Sequence, residues 1–200
     1  MREQLCLLLA RFAGQTLSYE LAVELVRELF PDKASDPSNF PPKTYKGLTL
    51  QVERLADIEN EIHALHLAHW QETEAHRHEI AMLPDYKAAK EDERAGKLIQ
   101  LTARDGALLV GNIRMYLYTS RHTQTLAAKE DTFYLLPSHR RGFAAIRFWQ
   151  YMEACLRTLG VQEITTDSKV VNQVGRLNEY LGYAHIANVF HKYLQPNARN

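Results

Sequence analysis

Apolar residues fall at Leu5, Leu8, Leu9 and Phe12, then at Leu21, Leu25, Val26 and Leu29, at intervals that line one face of a helix. Thr16 and Ser18 lie between the two runs as caps, so residues 1–30 predict a helical hairpin. The pattern then stops. Four of the seven prolines, Pro31, Pro37, Pro41 and Pro42, fall in the next dozen residues among Asp, Ser and Asn, where neither a helix nor a central strand persists. This segment reads as a linker, and a second region opens near Lys43.

From Lys43 the two periods alternate. Tyr45 to Leu50 predicts a short strand, Glu53 to Ala75 a long helix, and Asp85 to Arg94 a charged helical stretch. Lys97 to Ala103 and Ala107 to Thr119 read as strands, with Asp105-Gly106 between them as a hairpin signal. Thr132 to Leu136 is an apolar strand stopped by Pro137, and a helix from Phe143 to Leu159 is ended by Gly160. Val161 to Thr166 is the next strand, Val170 to Leu181 the next helix, and Tyr183 to Leu194 a final extended strand. The expected architecture is α/β, a mixed sheet in the order β-α-α-β-β-β-α-β-α-β behind an N-terminal helical extension. The extension and linker occupy residues 1–42 and the main domain residues 43–200. No internal repeat is visible.

Composition narrows the function classes. The chain is 46% hydrophobic and 24% charged, the balance of an ordinary globular protein. Lys plus Arg and Asp plus Glu are 24 each, so no overall field draws the chain to nucleic acid or to an anionic membrane. The N-terminal hairpin carries Arg2, Arg11 and Arg27 against Glu3, Glu20, Glu24 and Glu28, which is no basic recognition face. Cys6 and Cys155 match no metal or redox spacing; they read as buried free thiols in a reducing compartment. The run Leu5 to Ala10 lacks the length and cleavage pattern of a secretion signal, and no stretch nears the roughly 20 apolar residues of a membrane span. A cytoplasmic location is expected by elimination.

The chemically informative segment is Asp131 to Phe148. A strand ends at Leu136-Pro137-Ser138, passes through His139-Arg140-Arg141-Gly142-Phe143-Ala144, and opens a helix. The first N–H groups of a helix have no partners inside it and sit at the positive end of its dipole, so such a turn receives phosphate oxygens. Gly142 permits close approach to the backbone, and Arg140 and Arg141 add charge of bidentate geometry. There is no Gly-Lys-Ser/Thr ending and no triple-glycine fingerprint, which disfavours a nucleotide hydrolase or a dinucleotide enzyme.

On these residues the chain resembles the GNAT (GCN5-related) N-acetyltransferase superfamily, whose pyrophosphate turn reads Gln/Arg-x-x-Gly-x-Gly/Ala. His139 to Ala144 matches at Gly142 and at Ala144. The element order, the Asp-Gly hairpin, Asp131-Thr-Phe-Tyr-Leu-Leu-Pro and Leu181-Gly182-Tyr183 also fall where the family has them, from about Lys43 to Leu194. More narrowly, the chain looks like the acetyltransferases encoded by phages and prophages. The resemblance implies acetyl-CoA as cosubstrate. Its pantetheine arm would slot between two splayed strands and bond to the backbone of Tyr134, Leu135 and Leu136, and its pyrophosphate would rest on Arg140, Arg141, Gly142, Phe143, Ala144 and Ala145. Asn172 and Asn178 are placed beside the cofactor on the same ground. His139 departs from the usual Gln or Arg. Asn178 stands where many members carry a thiolate-protonating tyrosine, so that role has no counterpart there.

Acetyl transfer to an amine needs a neutral nucleophile, although a free lysine titrates near about 10.4, and it releases a thiol of pKa near about 8.5. Glu72 and Asp131 are the candidate bases, because the family brings both regions to the acceptor side. Tyr183, with Tyr180 and Tyr193 beside it in sequence, is the candidate acid, and a backbone N–H near Leu135 is the candidate oxyanion donor. His63, His66 and His69 recur every third residue, a step that carries them around the helix, so no metal site is assigned. His66 and His69 remain reserve bases. The leading reading is direct acetyl transfer to an amine of a small molecule, or to a lysine or N-terminus of a protein. The competing one is a non-catalytic module of phage origin that keeps the fold and serves in CoA binding or in docking on a protein, and the hairpin is a candidate homodimer element.

Overall fold

The computed structural model describes residues 2–29, 31–77, 81–171 and 174–192. Helices α1 (Arg2–Arg11) and α2 (Tyr19–Leu29) form the expected hairpin. The Arg11 guanidinium reaches both Glu28 oxygens at 2.7 and 3.2 Å, and Ser18 Oγ caps α2 by accepting from Leu21 N–H. The proline-rich segment docks on the domain behind it. Phe40 is buried and its carbonyl accepts from the Tyr151 hydroxyl, while Lys33 N–H donates to the Arg94 carbonyl. Proline fixes an extended backbone, so the docking comes from bonds to other elements.

Strands β1 (Lys43–Tyr45) and β2 (Leu48–Val52) replace the single strand expected over Tyr45 to Leu50. Lys46 and Gly47 turn the chain between them, both at positive φ (47° and 85°), the geometry of a two-residue hairpin loop. The sheet continues through β3 (Leu98–Asp105), β4 (Leu108–Thr119), β5 (Leu126–Leu135) and β6 (Glu163–Thr165). Spatial order follows chain order; every pairing is antiparallel except β5 with β6, which is parallel. Strand β5 begins at Leu126 rather than Thr132. Lys129, Glu130 and Asp131 interrupt the apolar run in the sequence, yet the segment is laddered to β4 and, through Lys129, to β6.

Helix α3 (Leu55–Thr73) packs with α4 (Tyr86–Arg94) on one face. Leu55, Ile58, Ile62 and Leu65, three and four residues apart, meet Ala89, Leu98, Leu109 and Tyr134 in a common core. Helix α5 (Ala144–Thr158) lies on the other face, since Phe133 packs against Phe148 and Trp149 and neighbouring strand residues point to opposite sides. Gly160, at φ 82°, ends α5 with the paired bonds Val161 N–H to Leu156 O and Gly160 N–H to Arg157 O, a Schellman motif.

Glu93 ties α4 to α3. It is 3% exposed; one carboxylate oxygen accepts from Leu55 N–H at 2.9 Å, capping α3, and the other accepts from Arg54 Nε at 3.3 Å. Glu93→Ala removes a buried partner from both, and is expected to cost about 2–4 kcal/mol in urea unfolding. A loss below about 0.5 kcal/mol would contradict this pinning role.

The chain divides into two compact units, Met1–Asp167 and Ser168–Asn200. In the second, α6 (Val174–Tyr180) ends in another Schellman motif, with Tyr183 N–H bonded to Asn178 O and Gly182 N–H to Glu179 O. The Leu181-Gly182-Tyr183 signature is therefore a helix stop, with Gly182 at φ 88°. The expected final strand is corrected: residues 183–192 form none, and Ile186, Val189 and Phe190 are exposed. An extended segment becomes a strand only when a neighbour completes its ladder. The helix expected from Val170 starts at Val174, leaving Val170 and Val171 exposed. Cys155 is buried but Cys6 is exposed, so only one thiol fits the expectation of burial. Among the described residues no helix is long and apolar enough to cross a membrane.

Candidate functional site

Strands β5 and β6 run together only from Ala127–Glu163 to Lys129–Thr165. Beyond Lys129 no strand pairs with that edge of β5 among the described residues. The separation starts at a bulge: Arg114 pairs with Thr132 and Met115 with Glu130, so Asp131 is the extra residue. A bulge bends its strand and resets its hydrogen-bond phase. Before it, the Leu126 carbonyl faces β6 and accepts from Gln162 N–H; after it, Leu136 N–H turns to β4 and donates to Val110 O. Alternation along an antiparallel ladder then directs the backbone groups of Phe133 and Leu135 to the open edge and those of Tyr134 to β4. Of the three residues expected to offer backbone to the pantetheine arm, Leu135 faces the opening, and Phe133, absent from that expectation, does so too.

The open edge leads directly into the turn. Pro137–His139 form a single 3-10 turn, Gly142 stands at φ 60°, and α5 begins at Ala144 without a side-chain cap. Ala144 N–H closes the turn by donating to the Arg141 carbonyl at 3.3 Å, so the amides of Ala145 and Ile146 are those that the start of a helix turns towards an anion. A Cβ on Gly142 would lie 3.1 Å from the Tyr45 hydroxyl and 3.4 Å from Lys46 Nζ. The Tyr45 hydroxyl accepts from Phe143 N–H at 3.2 Å. Tyr45 and Lys46 were not foreseen; the only sequence signal for them is Gly47, which marks the hairpin that brings them to the turn. His139 turns to the β3–β4 hairpin, with Nε2 3.3 Å from Asp105.

Arg140 turns towards the end of α3. Its Nε donates to the Leu135 carbonyl at 2.6 Å, its two terminal nitrogens grip the Glu72 carboxylate at 2.7 and 2.8 Å, and it lies over the Tyr134 ring. The Tyr134 hydroxyl also donates to Glu72, at 3.2 Å. The bonded guanidinium holds the Glu72 carboxyl below the usual carboxylate range, and burial raises the Tyr134 phenol. Glu72 is thus built as an anionic anchor for Arg140 and accepts protons weakly. Asp131 stands at the bulge, 3.5 Å from Arg114 Nη1.

Two of the three helical histidines converge on Tyr86, whose hydroxyl lies 2.9 Å from His66 Nδ1 and 3.4 Å from His63 Nδ1; His69 stacks on Tyr134. Burial, reinforced by the Arg114 charge, pushes His66 down to about 3. Between pH about 3 and about 6.5 the unfolded chain binds a proton that the folded one refuses. Stability is therefore complete above the higher value and falls as the pH drops, by up to about 1.4 kcal/mol per pH unit. Urea unfolding at pH 7.5, 6.0 and 5.0 should show this slope, and His66→Asn should flatten it; equal slopes would contradict the assignment.

Asn178 and Tyr183 lie in the second unit, in the stop of α6 described above, and Asn172 lies outside the described residues. The remaining expected site residues share the first unit: Glu72 near the end of α3, and the others along β5, the turn and the start of α5.

Comparison with solved structures fits this geometry. An aminoglycoside acetyltransferase from an uncultured soil metagenomic sample, in complex with trehalose, superposes with a TM-score of 0.62 at 11% identity, covering 78% of this chain and all of its own. The fold is that of the GNAT acetyltransferases. A ribosomal-protein-alanine N-acetyltransferase from Brucella melitensis biovar Abortus 2308 gives 0.56 at 20% identity, covering 72% of this chain and 99% of its own. AAC(6′)-Iy, in complex with a bisubstrate analogue joining CoA to acetylneamine, gives 0.55 at 15% identity over 74% and 99%. No family model and no curated protein matches the chain in sequence.

Proposed function

We propose that the chain is an acetyl-CoA-dependent N-acetyltransferase acting by direct transfer to an amine. The observation that carries this reading is a strand edge that opens at a bulge and passes through one tight turn to the N-terminus of α5. Such an edge receives an amide-bearing arm as an added strand, while the turn receives a diphosphate. The CoA bound in one fold relative supports the cosubstrate.

The amine nitrogen attacks the thioester carbonyl carbon, the C–S bond breaks, and the thiolate takes a proton from solvent. Leu135 N–H and Phe133 N–H are the donors for the oxyanion between these events, worth a few kcal/mol where they are fixed in place. Asp131, at the mouth of the opening, takes the proton that the amine loses. Glu72 keeps Arg140 at the edge. Arg141 and Lys46, both exposed beside the turn, add positive charge for the diphosphate.

Purified protein with acetyl-CoA and a panel of amines should release free thiol, followed with a thiol-reactive dye. CoA binding without release on any amine would favour the non-catalytic module instead, a reading supported by the ion-paired state of Glu72. The phage ancestry, cytoplasmic location and homodimer expected from the sequence remain part of the proposal.

A further inference from the structure

Arg140 lies across the opened edge of β5. Its Nε donates to the Leu135 carbonyl at 2.6 Å, and the backbone groups of Leu135 are among those directed away from β4 to that edge. A strand added there would bring an N–H of its own to the same oxygen, at about 2.9 Å. Arg140 Nε therefore takes the place of an incoming arm's N–H. From this point the guanidinium passes over the Tyr134 ring, 5.1 Å from its centroid, and ends on Glu72 of α3.

The side chain is held in this position from two directions. Nη1 and Nη2 each meet one Glu72 oxygen, at 2.7 and 2.8 Å, in a bidentate pair. The Tyr134 hydroxyl donates to the same carboxylate at 3.2 Å and fixes it from a second side, while the Tyr134 ring carries the cation. Yet Arg140 and Glu72 are 38% and 36% exposed. An ion pair so open to water holds weakly, and α5 is pressed onto β5 by Phe133, Phe148 and Trp149 instead. The pair thus suits a contact that opens rather than one that keeps the fold. Resting on the transferase reading, we infer that Arg140 is a latch on the cofactor track: in the free protein it occupies the Leu135 carbonyl, and the amide-bearing arm of CoA enters by displacing it. Glu72 and Tyr134 are positioning residues that act on the cofactor through Arg140. Arg140 then opposes entry of the arm, the reverse of a cation placed only to attract phosphate.

The test sets CoA beside pantetheine, which is the arm without its phosphates and is uncharged near neutral pH. Affinity for pantetheine is read on the intact chain by titrating the Phe133 and Leu135 amide signals in nuclear magnetic resonance. Arg140→Met keeps the stem and loses the fork, and should bind pantetheine about fivefold more tightly than wild type, the upper end for removing an exposed ion pair. Glu72→Gln should tighten it about twofold or more, because Arg140 keeps its charge and loses its anchor. A change of charge alone leaves the affinity for a neutral arm unaltered, so this probe separates a latch from an attracting field. In wild type the Arg140 Nε–H signal, identified by its absence in Arg140→Met, should exchange slowly with water and speed up about tenfold or more at saturating CoA. Slow exchange that persists at saturating CoA, or pantetheine bound no more tightly by either variant, would overturn the inference. CoA still binds in those cases, and the transferase reading stands. If neither wild type nor Arg140→Met binds CoA or pantetheine, both readings fall together. CoA bound by Arg140→Met and not by wild type would be the latch at full strength.

Discussion

Replacing Gly142 by valine should lower the affinity for CoA by about 100-fold or more while the protein stays folded. The glycine stands at φ 60° with the Tyr45 hydroxyl and Lys46 Nζ close to where a Cβ would be. A β-branched residue in that region costs roughly 1–2 kcal/mol, and its methyls would stand over the amides that open α5. Each charge-assisted bond to a diphosphate is worth about 1.5–3 kcal/mol, so losing two amounts to at least two decades of affinity. Gly142→Ala should fall between, with the strain but little of the obstruction. The Arg141→Glu and Gly142→Val double variant should bind nothing measurable. Titration calorimetry checks the series, with far-ultraviolet circular dichroism to confirm folding; unchanged affinity in Gly142→Val would remove the turn from the site.

The second large effect concerns what holds that turn in place. Trp149 is fully buried, with its ring 4.9 Å from Phe133, and Phe148 flanks the same residue. These contacts press α5 onto β5, so the turn and the open edge keep one geometry. Trp149→Ala should cost about 3–5 kcal/mol in stability, through lost burial and the cavity left behind. Trp149→Phe keeps much of the volume and should cost less than about half of that. Both are read from urea unfolding followed by circular dichroism. A loss below about 1 kcal/mol for the alanine variant would mean that α5 is held by other contacts.

The sequence carried the turn well. Gly142 in the left-handed region and the helix opening at Ala144 both follow from local chemistry, a glycine after a proline-stopped strand and then an apolar helical face. The helix stop at Gly160 was legible for the same reason, whereas Gly182 stood out only through the resemblance. What was not legible depends on pairing. The bulge at Asp131 cannot be told from a loop in the apolar pattern, because Lys129, Glu130 and Asp131 read as a break, whereas Lys129 and Glu130 stay paired with β4 and only Asp131 is extra. The grip of Arg140 on Glu72 joins residues 68 apart in sequence, and no spacing rule foretells it. Tyr45 and Lys46 reach the turn only because Lys46-Gly47 folds a segment that looks like one strand.

Amide hydrogen exchange at saturating CoA is the most direct test of the central claim, that the opened edge of β5 and the start of α5 form one cofactor track. Protection should rise at Phe133, Leu135, Ala145 and Ile146 together, with little change at Tyr134 and Leu136, whose N–H groups already face β4. Protection confined to other elements, or none at all, would contradict it.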